Sequence, residues 1–203
     1  MTAPSATDAL ALAPDAQDLL FRQARTANTF TADPVTDEHI RAIYDLVKYG
    51  PTSLNTQPLR VVLLRTPQAR ARLLPHMMGF NRAKTETAPL VAILAADTEF
   101  HEHLPRLVPF RPEARDSFQD PTLREHVARF NATLQAAYFF IGIRAAGLAA
   151  GPMSGFDPAG VDAEFFPDGR HRSLVIVNIG VPGPEAWFDR LPRLEHDEVV
   201  SVR

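Results

Sequence analysis

The chain of 203 residues contains no cysteine, which excludes disulfide bonds, thiolate-ligated metal sites and a cysteine nucleophile. It has no apolar run near the roughly 20 residues that a membrane-spanning helix requires. The formal net charge of -3 and the isoelectric point near 6.2 show no excess of positive charge. Nucleic acid and anionic membranes both bind basic surfaces, so we expect neither as a partner. The first 16 residues lack the basic residues of a secretory or transit peptide, and we therefore expect a cytoplasmic protein.

Motifs of several common enzyme classes are also missing. No Gly-x-Gly-x-x-Gly pattern follows a predicted strand, which argues against a dinucleotide-binding unit of the Rossmann type. Ser154 lacks the flanking glycines of a nucleophile elbow. His101 and His103 have no cysteine or second histidine pair beside them, so we predict no metal site. The carboxylates are scattered, and we nominate no catalytic residue of the protein itself.

The apolar residues that are present, 45% of the chain, are sufficient for one globular domain. We predict a loose tail at 1–16 and a single domain at 17–203. Helices are predicted at 18–24, from the capping residue Thr36 to just before Gly50, at 66–74 and at 121–150. Buried strands are predicted at 61–64, 88–95 and 174–180. Three or four strands between helices indicate an α/β or α+β class. Residues 98–119 are predicted as either a broken helix or a mobile excursion.

A polar loop separates the predicted helix that ends before Gly50 from the first strand. Residues 50–58, here called the opening loop, read Gly-Pro-Thr-Ser-Leu-Asn-Thr-Gln-Pro. Hydroxyls and carboxamides between two prolines are typical of a recognition loop, but a plain helix-to-strand connection explains the same residues. Other polar stretches carry isolated cations or glycines, at 25–28, 81–84, 151–155 and 193. If these stretches converge, they suit an anionic, planar, hydrogen-bonding cofactor.

The order of these stretches resembles the nitroreductase superfamily of flavin-dependent oxidoreductases from about residue 18 to 200. Its opening cluster is similar to residues 25–30, and its Pro-Ser-Ser-x-Asn-x-Gln-Pro loop is similar to residues 51–58. The stretch Asn-Arg-Ala-Lys at 81–84, before an Ala-Pro strand, also fits. Residues 24–26, 50–53, 151–157 and 191–194 resemble more narrowly the branch that contains malonic semialdehyde reductase.

This resemblance implies an α+β fold with a central, mostly antiparallel sheet flanked by helices. It also implies an obligate homodimer with FMN at the subunit interface and exchanged terminal segments. The implied activity is ping-pong hydride transfer from NADH or NADPH through flavin N5 to a small carbonyl acceptor. Malonic semialdehyde, which would give 3-hydroxypropanoate, is the acceptor that the branch suggests. Three alternatives stay open: a nitroaromatic or quinone reductase with the same flavin, a flavin-binding protein without turnover, and a cofactor-free interaction domain.

The resemblance also implies roles for individual residues. Arg25 and Arg193 would hold the FMN phosphate with help from Thr26 and Asn28, although the family often has a second cation at the position of Asn28. Asn81 and Lys84 would address the flavin ring, where a lysine favours the negative charge of the reduced flavin. Four residues of the opening loop would reach the ribityl chain, the pyrimidine edge and the substrate: Thr52, Ser53, Asn55 and Gln57. Four further residues would lie along the ring: Pro152, Met153, Ser154 and Gly155. Arg111 is the candidate for binding the carboxylate of an aldehyde acid.

Overall fold

The computed structural model describes residues 10–203. Its helices are α1 (Pro14–Gln17), α2 (Asp37–Val47), α3 (Pro67–Leu73), α4 (Asn81–Thr87), α5 (Leu104–Leu107), α6 (Pro121–Ala145), α7 (Pro158–Phe165) and α8 (His196–Val199). Its strands are β1 (Leu59–Leu64), β2 (Leu90–Asp97), β3 (Ala149–Met153) and β4 (His171–Gly180). A π-helical turn at Asp18–Arg22 follows α1, and 3-10 turns cover Ser53–Asn55, Leu74–His76, Phe100–His103 and Pro112–Phe118.

The strands form a sheet in the order β1-β2-β4-β3, in which every pair of neighbours is antiparallel. Ile43 of α2 and Phe139 of α6 help to cover one face of this sheet. Leu73 of α3 and Val161 of α7 help to cover the other face. All eight residues of β2 are buried, which explains why its sequence is apolar without alternation. The α+β fold with an antiparallel sheet between helices is confirmed.

Two helices begin where side chains can cap them. The Thr36 hydroxyl accepts a hydrogen bond from the His39 backbone N–H at 3.3 Å, and the His39 ring accepts one from the Thr36 N–H at 3.2 Å. Thr66 caps α3 in the same way through the Ala69 N–H at 3.1 Å. These contacts satisfy backbone donors that a helix leaves without intrahelical partners. Both predicted helix starts are confirmed.

The prediction for the end of the long helix was wrong. Helix α6 stops at Ala145, and Gly147 turns the chain with φ +75 instead of continuing the helix. Residues 149–153 then form β3, so the first half of the predicted turn-rich loop is a strand. Proline has no backbone N–H to donate. Because β3 lies at the edge of the sheet, Pro152 removes no hydrogen bond between central strands. This strand carries residues that the sequence assigned to a ligand-binding loop.

Residues 98–119 form a broken helix packed against the body of the domain. The Asp97 carboxylate at the end of β2 is 1% exposed and accepts hydrogen bonds from Arg60 at 2.6 Å and Arg170 at 3.0 Å. Arg170 also pairs with Glu102 at 3.0 Å, which ties the first turn after β2 to the residues before β4. We call Arg60, Asp97, Glu102 and Arg170 the Asp97 cluster. These contacts favour the broken helix over the mobile excursion.

The predicted tail at 1–16 includes residues that the structure does not describe. Residues 1–9 are not described, and residues 14–16 belong to α1. The division at residue 16 therefore stays a prediction. From residue 10 onward, the helices are all too short or too polar to cross a membrane.

Candidate cofactor site

A close backbone contact brings the segment 25–30 onto the edge strand β3. The Ala27 N–H donates to the Ala150 carbonyl at 3.1 Å, and the Asn28 N–H donates to the Ala186 carbonyl at 2.9 Å. Gly151 permits this approach, because a Cβ atom there would lie 2.6 Å from the Ala27 carbonyl oxygen. That obstacle is backbone, so a larger residue would push the two segments apart.

Lys84 of α4 points its ammonium group at this contact. Its Nζ lies 3.3 Å from the Asn28 Oδ1 and 4.3 Å from the centre of the Phe80 ring. Burial lowers the pKa of Lys84, and in the described part of the chain no carboxylate pairs with it. The Asn28 amide nitrogen is 3.3 Å from both the Thr26 and the Ala186 carbonyl oxygens, which orients its oxygen toward Lys84. The result is a partly buried cation held by an amide and open to an anionic ligand.

The turn after β3 closes the same group of residues. The Asn81 side-chain amide donates to the Gly155 carbonyl at 3.1 Å, and a Cβ atom on Gly155 would lie 2.5 Å from that amide nitrogen. The Met153 side chain is buried in the core, so only its backbone can face a ligand. Ser154 is exposed beside it. Pro152, Met153, Ser154 and Gly155 are thus brought together with Asn28, Asn81 and Lys84.

Arg25 and Thr26 lie at the rim of this group. The Arg25 guanidinium donates to the Phe188 carbonyl at 3.2 Å and lines a cavity of about 240 Å³ beside β3. Both residues are exposed. Their predicted contact with a phosphate group stays a prediction.

The opening loop lies elsewhere, before β1 at the opposite edge of the sheet. Gly151 aligns through β4 and β2 with Leu64, whereas the opening loop precedes Leu59 at the other end of β1. Strand spacing and rise put the two groups about 14 Å apart across the sheet and about 17 Å along it. One chain therefore does not bring the opening loop to Lys84.

The opening loop is nevertheless held in a defined shape. The Asn131 side chain accepts the Ser53 N–H at 2.7 Å, and Gln57 donates to the Asn55 side chain at 2.8 Å. Leu54, Asn55 and Gln57 have positive φ values of 51, 51 and 43. Such conformations are unfavourable for residues other than glycine and persist only where the surroundings fix them. The loop is more constrained than a plain connection requires.

Two predicted site residues do not join either group. Arg193 donates to the carbonyls of its neighbours Leu191 and Pro192 at 2.8 and 3.0 Å, on an exposed segment. Arg111 is exposed and pairs with Glu113 at 3.4 Å. Their assignments stay predictions.

Sequence reasoning overlooked Asn178 in the otherwise apolar strand β4. Asn178 is 1% exposed, pairs with Gly151 across the sheet, and has no hydrogen-bond partner for its Oδ1 among the described residues. A buried, unpaired amide oxygen is unfavourable and marks a place where a polar group is missing. The sequence contained a signal for this residue, because Asn178 is a single polar residue within the apolar run Val175–Ile179.

The chemistry of the residues gathered at β3 determines which kind of cofactor fits there. Cations, amide donors and two closely packed glycines meet at β3, and no carboxylate pairs with Lys84 in the described chain. Carboxylates would repel an anion, whereas this set of donors can bind one. An anionic, planar ligand with hydrogen-bonding edges fits these residues, and FMN is such a ligand.

Comparison with known proteins agrees with this geometry. A provisionally named NADH dehydrogenase/NAD(P)H nitroreductase of Streptomyces griseus is 62% identical over 194 residues, covering 95% of this chain and 98% of its relative. Two solved structures, each 17% identical, share the fold. A provisionally named nitroreductase from Exiguobacterium sibiricum in complex with FMN has a TM-score of 0.82, covering 94% of this chain and 98% of its own. A provisionally named NAD(P)H:FMN oxidoreductase from Staphylococcus epidermidis has a TM-score of 0.84, covering 96% and 98%.

The sequence pattern that defines the Nitroreductase family matches residues 21–181, which is most of the chain. The match spans the segment 25–30, the opening loop, Asn81, Lys84 and the whole sheet. It leaves out Arg193 and the residues after β4. This chain belongs to the nitroreductase family.

Proposed function

We propose that the protein is an FMN-dependent NAD(P)H oxidoreductase. The observation that carries this proposal is the partly buried Lys84, oriented by Asn28 and open to an anion at β3. The names of the relatives support both the flavin and the nicotinamide donor. When bound, FMN would supply the chemistry by taking a hydride from NAD(P)H and passing it to an acceptor.

The residues of the chain would contribute position and charge. The Lys84 ammonium would stabilise the negative charge of a reduced flavin bound at β3, and Asn28 orients it before that charge appears. Gly151 lets the segment 25–30 approach β3, and Gly155 makes room for the Asn81 amide, so these glycines hold the polar groups together. Asn81 holds the turn at Gly155 in place through its hydrogen bond. None of these residues needs to exchange a proton, which agrees with the lack of an acid–base pair in the sequence.

The proposed enzyme is a homodimer whose second subunit brings the opening loop to β3 of the first. The outward faces of α2 and α6 support this, because they expose large apolar side chains at Tyr44, Phe130, Leu134 and Tyr138. The carboxy-terminal segment exposes further apolar residues, including Leu191 and Leu194. Contiguous exposed apolar surface of this kind marks an interface.

A subunit complementation experiment tests this arrangement. Lys84→Met removes the cation at β3, and Ser53→Tyr fills the space in front of the opening loop. Each variant alone is expected to be nearly inactive. In an equal mixture with exchanged subunits, half of the dimers carry one intact site, so about a quarter of the wild-type activity should return. Activity no higher than the sum of the two parents would contradict a site shared between subunits.

For the acceptor we propose a small carbonyl compound, with malonic semialdehyde as the leading example. The competing acceptors are nitroaromatics and quinones, and the names of the relatives favour them at least as well. A panel of acceptors added to the reduced protein distinguishes these classes. The fastest re-oxidation should come from the aldehyde acid. Re-oxidation by a quinone or nitroaromatic alone would reject the carbonyl acceptor, and re-oxidation by none would indicate a flavin-binding protein without turnover.

Arg111 is proposed to bind the carboxylate of the aldehyde acid. Arg111→Ala should raise the KM for the aldehyde acid about tenfold, since hydrogen bonds to charged groups contribute about 1.5–3 kcal/mol. The KM for a neutral quinone should stay the same. Arg106→Ala tests the competing arginine, because Arg106 lies on the same excursion and lines a cavity with Gln57, which makes it the alternative partner for the carboxylate. Equal effects on both acceptors, or an effect of Arg106→Ala alone, would reject the role of Arg111.

A further inference from the structure

A cavity of about 240 Å³ lies between the π-helical turn, the end of α6 and the start of β3. Two arginines line it: Arg25 from the segment 25–30, which contacts β3, and Arg144 from the last turn of α6. Gln23 and Trp187 complete its polar and aromatic walls, and no carboxylate is among its lining residues. The cavity adjoins Ala149 and Ala150, so it is continuous with the edge strand that carries Gly151.

Neither arginine is neutralised within residues 10–203. Arg25 donates to the Phe188 carbonyl at 3.2 Å, and Arg144 donates to the Leu20 carbonyl at 3.3 Å. Burial lowers the pKa of Arg144, and no neighbouring charge opposes that effect. Asp18 lies nearby in sequence, but its carboxylate pairs with Arg22 at 3.6 Å and with the Gln23 amide at 3.3 Å. Two guanidinium groups without a counter-ion at one cavity constitute a site for an anion.

The other residues predicted to bind the phosphate with Arg25 supply no second cation at this cavity. Asn28 has a neutral side chain, and its amide group already contacts the Thr26 and Ala186 carbonyls and Lys84. Arg193 contacts only its own neighbours in the chain. Arg144 is therefore the cation that shares a cavity with Arg25.

We propose that Arg144 acts with Arg25 to bind the phosphate group of FMN. This inference rests on the proposed function for the identity of the ligand. Arginine suits the task, since its planar fork donates two parallel hydrogen bonds to phosphate oxygens. Arg144 uses a single contact to the Leu20 carbonyl, which leaves most of its five N–H donors for the cavity.

A purely structural role for Arg144 makes a different prediction. A cation in the last turn of a helix interacts favourably with the exposed carbonyls, and its contact with Leu20 would position the amino-terminal helical turn. Removing such a role would lower stability and weaken every flavin equally. If Arg144 binds the phosphate, its removal should weaken the binding of FMN but not of riboflavin, because the two ligands carry the same ring and differ in the phosphate.

The test compares the binding of FMN and riboflavin to flavin-free protein, followed by flavin fluorescence. Arg144→Gln should raise the Kd for FMN by about 10- to 100-fold and leave the Kd for riboflavin within about twofold of wild type, since hydrogen bonds to ionised groups are among the strong ones. Arg144→Lys keeps the charge and should recover part of the FMN affinity. Arg129→Gln is the matched control on the same helix, where the arginine pairs with Glu125 away from the cavity, and it should alter neither ligand.

Four results would overturn the proposal. Equal loss of FMN and riboflavin affinity in Arg144→Gln would assign a structural role, and an unchanged FMN Kd would exclude contact with the phosphate. A selective rise in the KM for NADPH over NADH, with FMN binding unchanged, would assign the cavity to the dinucleotide. Wild-type protein that binds neither flavin would reject the proposed function as well, and that failure is distinct because it appears before any substitution is made.

Discussion

Lys84→Met is expected to slow the reduction of bound flavin by NAD(P)H about 10²- to 10³-fold, the usual effect of removing one preorganised donor from a developing charge. Methionine keeps the length of the side chain and removes its positive charge. The Lys84 ammonium is partly buried, so water screens its interaction with a ligand less than it would at the surface. The loss should therefore appear in the rate of reduction more than in protein stability.

Stopped-flow absorbance under anaerobic conditions measures this rate directly. Arg82→Met is the matched control, because Arg82 is an exposed cation on the same helix. It should reduce flavin at the wild-type rate. A Lys84→Met protein that retains FMN and is reduced as fast as wild type would remove Lys84 from the site.

Asp97→Asn is expected to lower the free energy of unfolding by about 1.5–3 kcal/mol, the usual contribution of hydrogen bonds to charged groups. Asparagine keeps the shape of the side chain but leaves Arg60 and Arg170 facing a neutral group. Because the Asp97 cluster ties β1, β2 and the residues before β4 together, the whole sheet depends on it. Chemical denaturation followed by circular dichroism measures the loss. Asp116→Asn, at an exposed aspartate of the same excursion, should change little.

The contribution of Asp97 to the stability of the folded protein should also depend on pH. Burial by itself raises the pKa of Asp97, but the hydrogen bonds from Arg170 and the charge of Arg60 outweigh burial and hold the pKa below its ordinary value of 3.8. A group whose pKa is lower in the folded state stabilises the protein above its unfolded pKa and loses that effect as the pH falls through the folded pKa. The difference in Tm between wild type and Asp97→Asn should be full at neutral pH and shrink below about pH 4. A difference that stays constant through that range would show that the charge of Asp97 is not responsible.

The sequence predicted the elements whose signals are local. Thr36 and Thr66 cap helices because the cap needs only residues three positions apart. The apolar run of β2 indicated a strand covered on both faces, and it is such a strand. The family followed from the order of several polar stretches, and that recognition is confirmed.

The features that the sequence did not reveal depend on long-range contacts. Helix propensity continues past Ala145, but pairing with β4 turns residues 149–153 into a strand. Asn28 was assigned to the phosphate, whereas its amide group lies 3.3 Å from Lys84, a residue 56 positions away. Arg144 shares a cavity with Arg25 only because the fold brings together residues far apart in the sequence. No local pattern contains such neighbours.

The separation of the opening loop from β3 has the same origin. The resemblance implies that all the polar stretches line one site, but β1 and β3 are opposite edges of one sheet. In the proposed dimer the loop would meet Lys84 across the boundary between subunits, which a single chain does not contain. The complementation experiment examines this point separately from the chemistry.

The central claim is that this chain holds FMN and passes electrons through it. The most direct test is an anaerobic titration of the FMN-loaded protein with NADH and NADPH, followed by flavin absorbance. The account predicts a yellow protein with one FMN per chain that is bleached by one of these donors and regains its colour when an acceptor is added. A colourless protein that cannot be reconstituted with FMN, or a yellow one that neither nicotinamide can bleach, would contradict it.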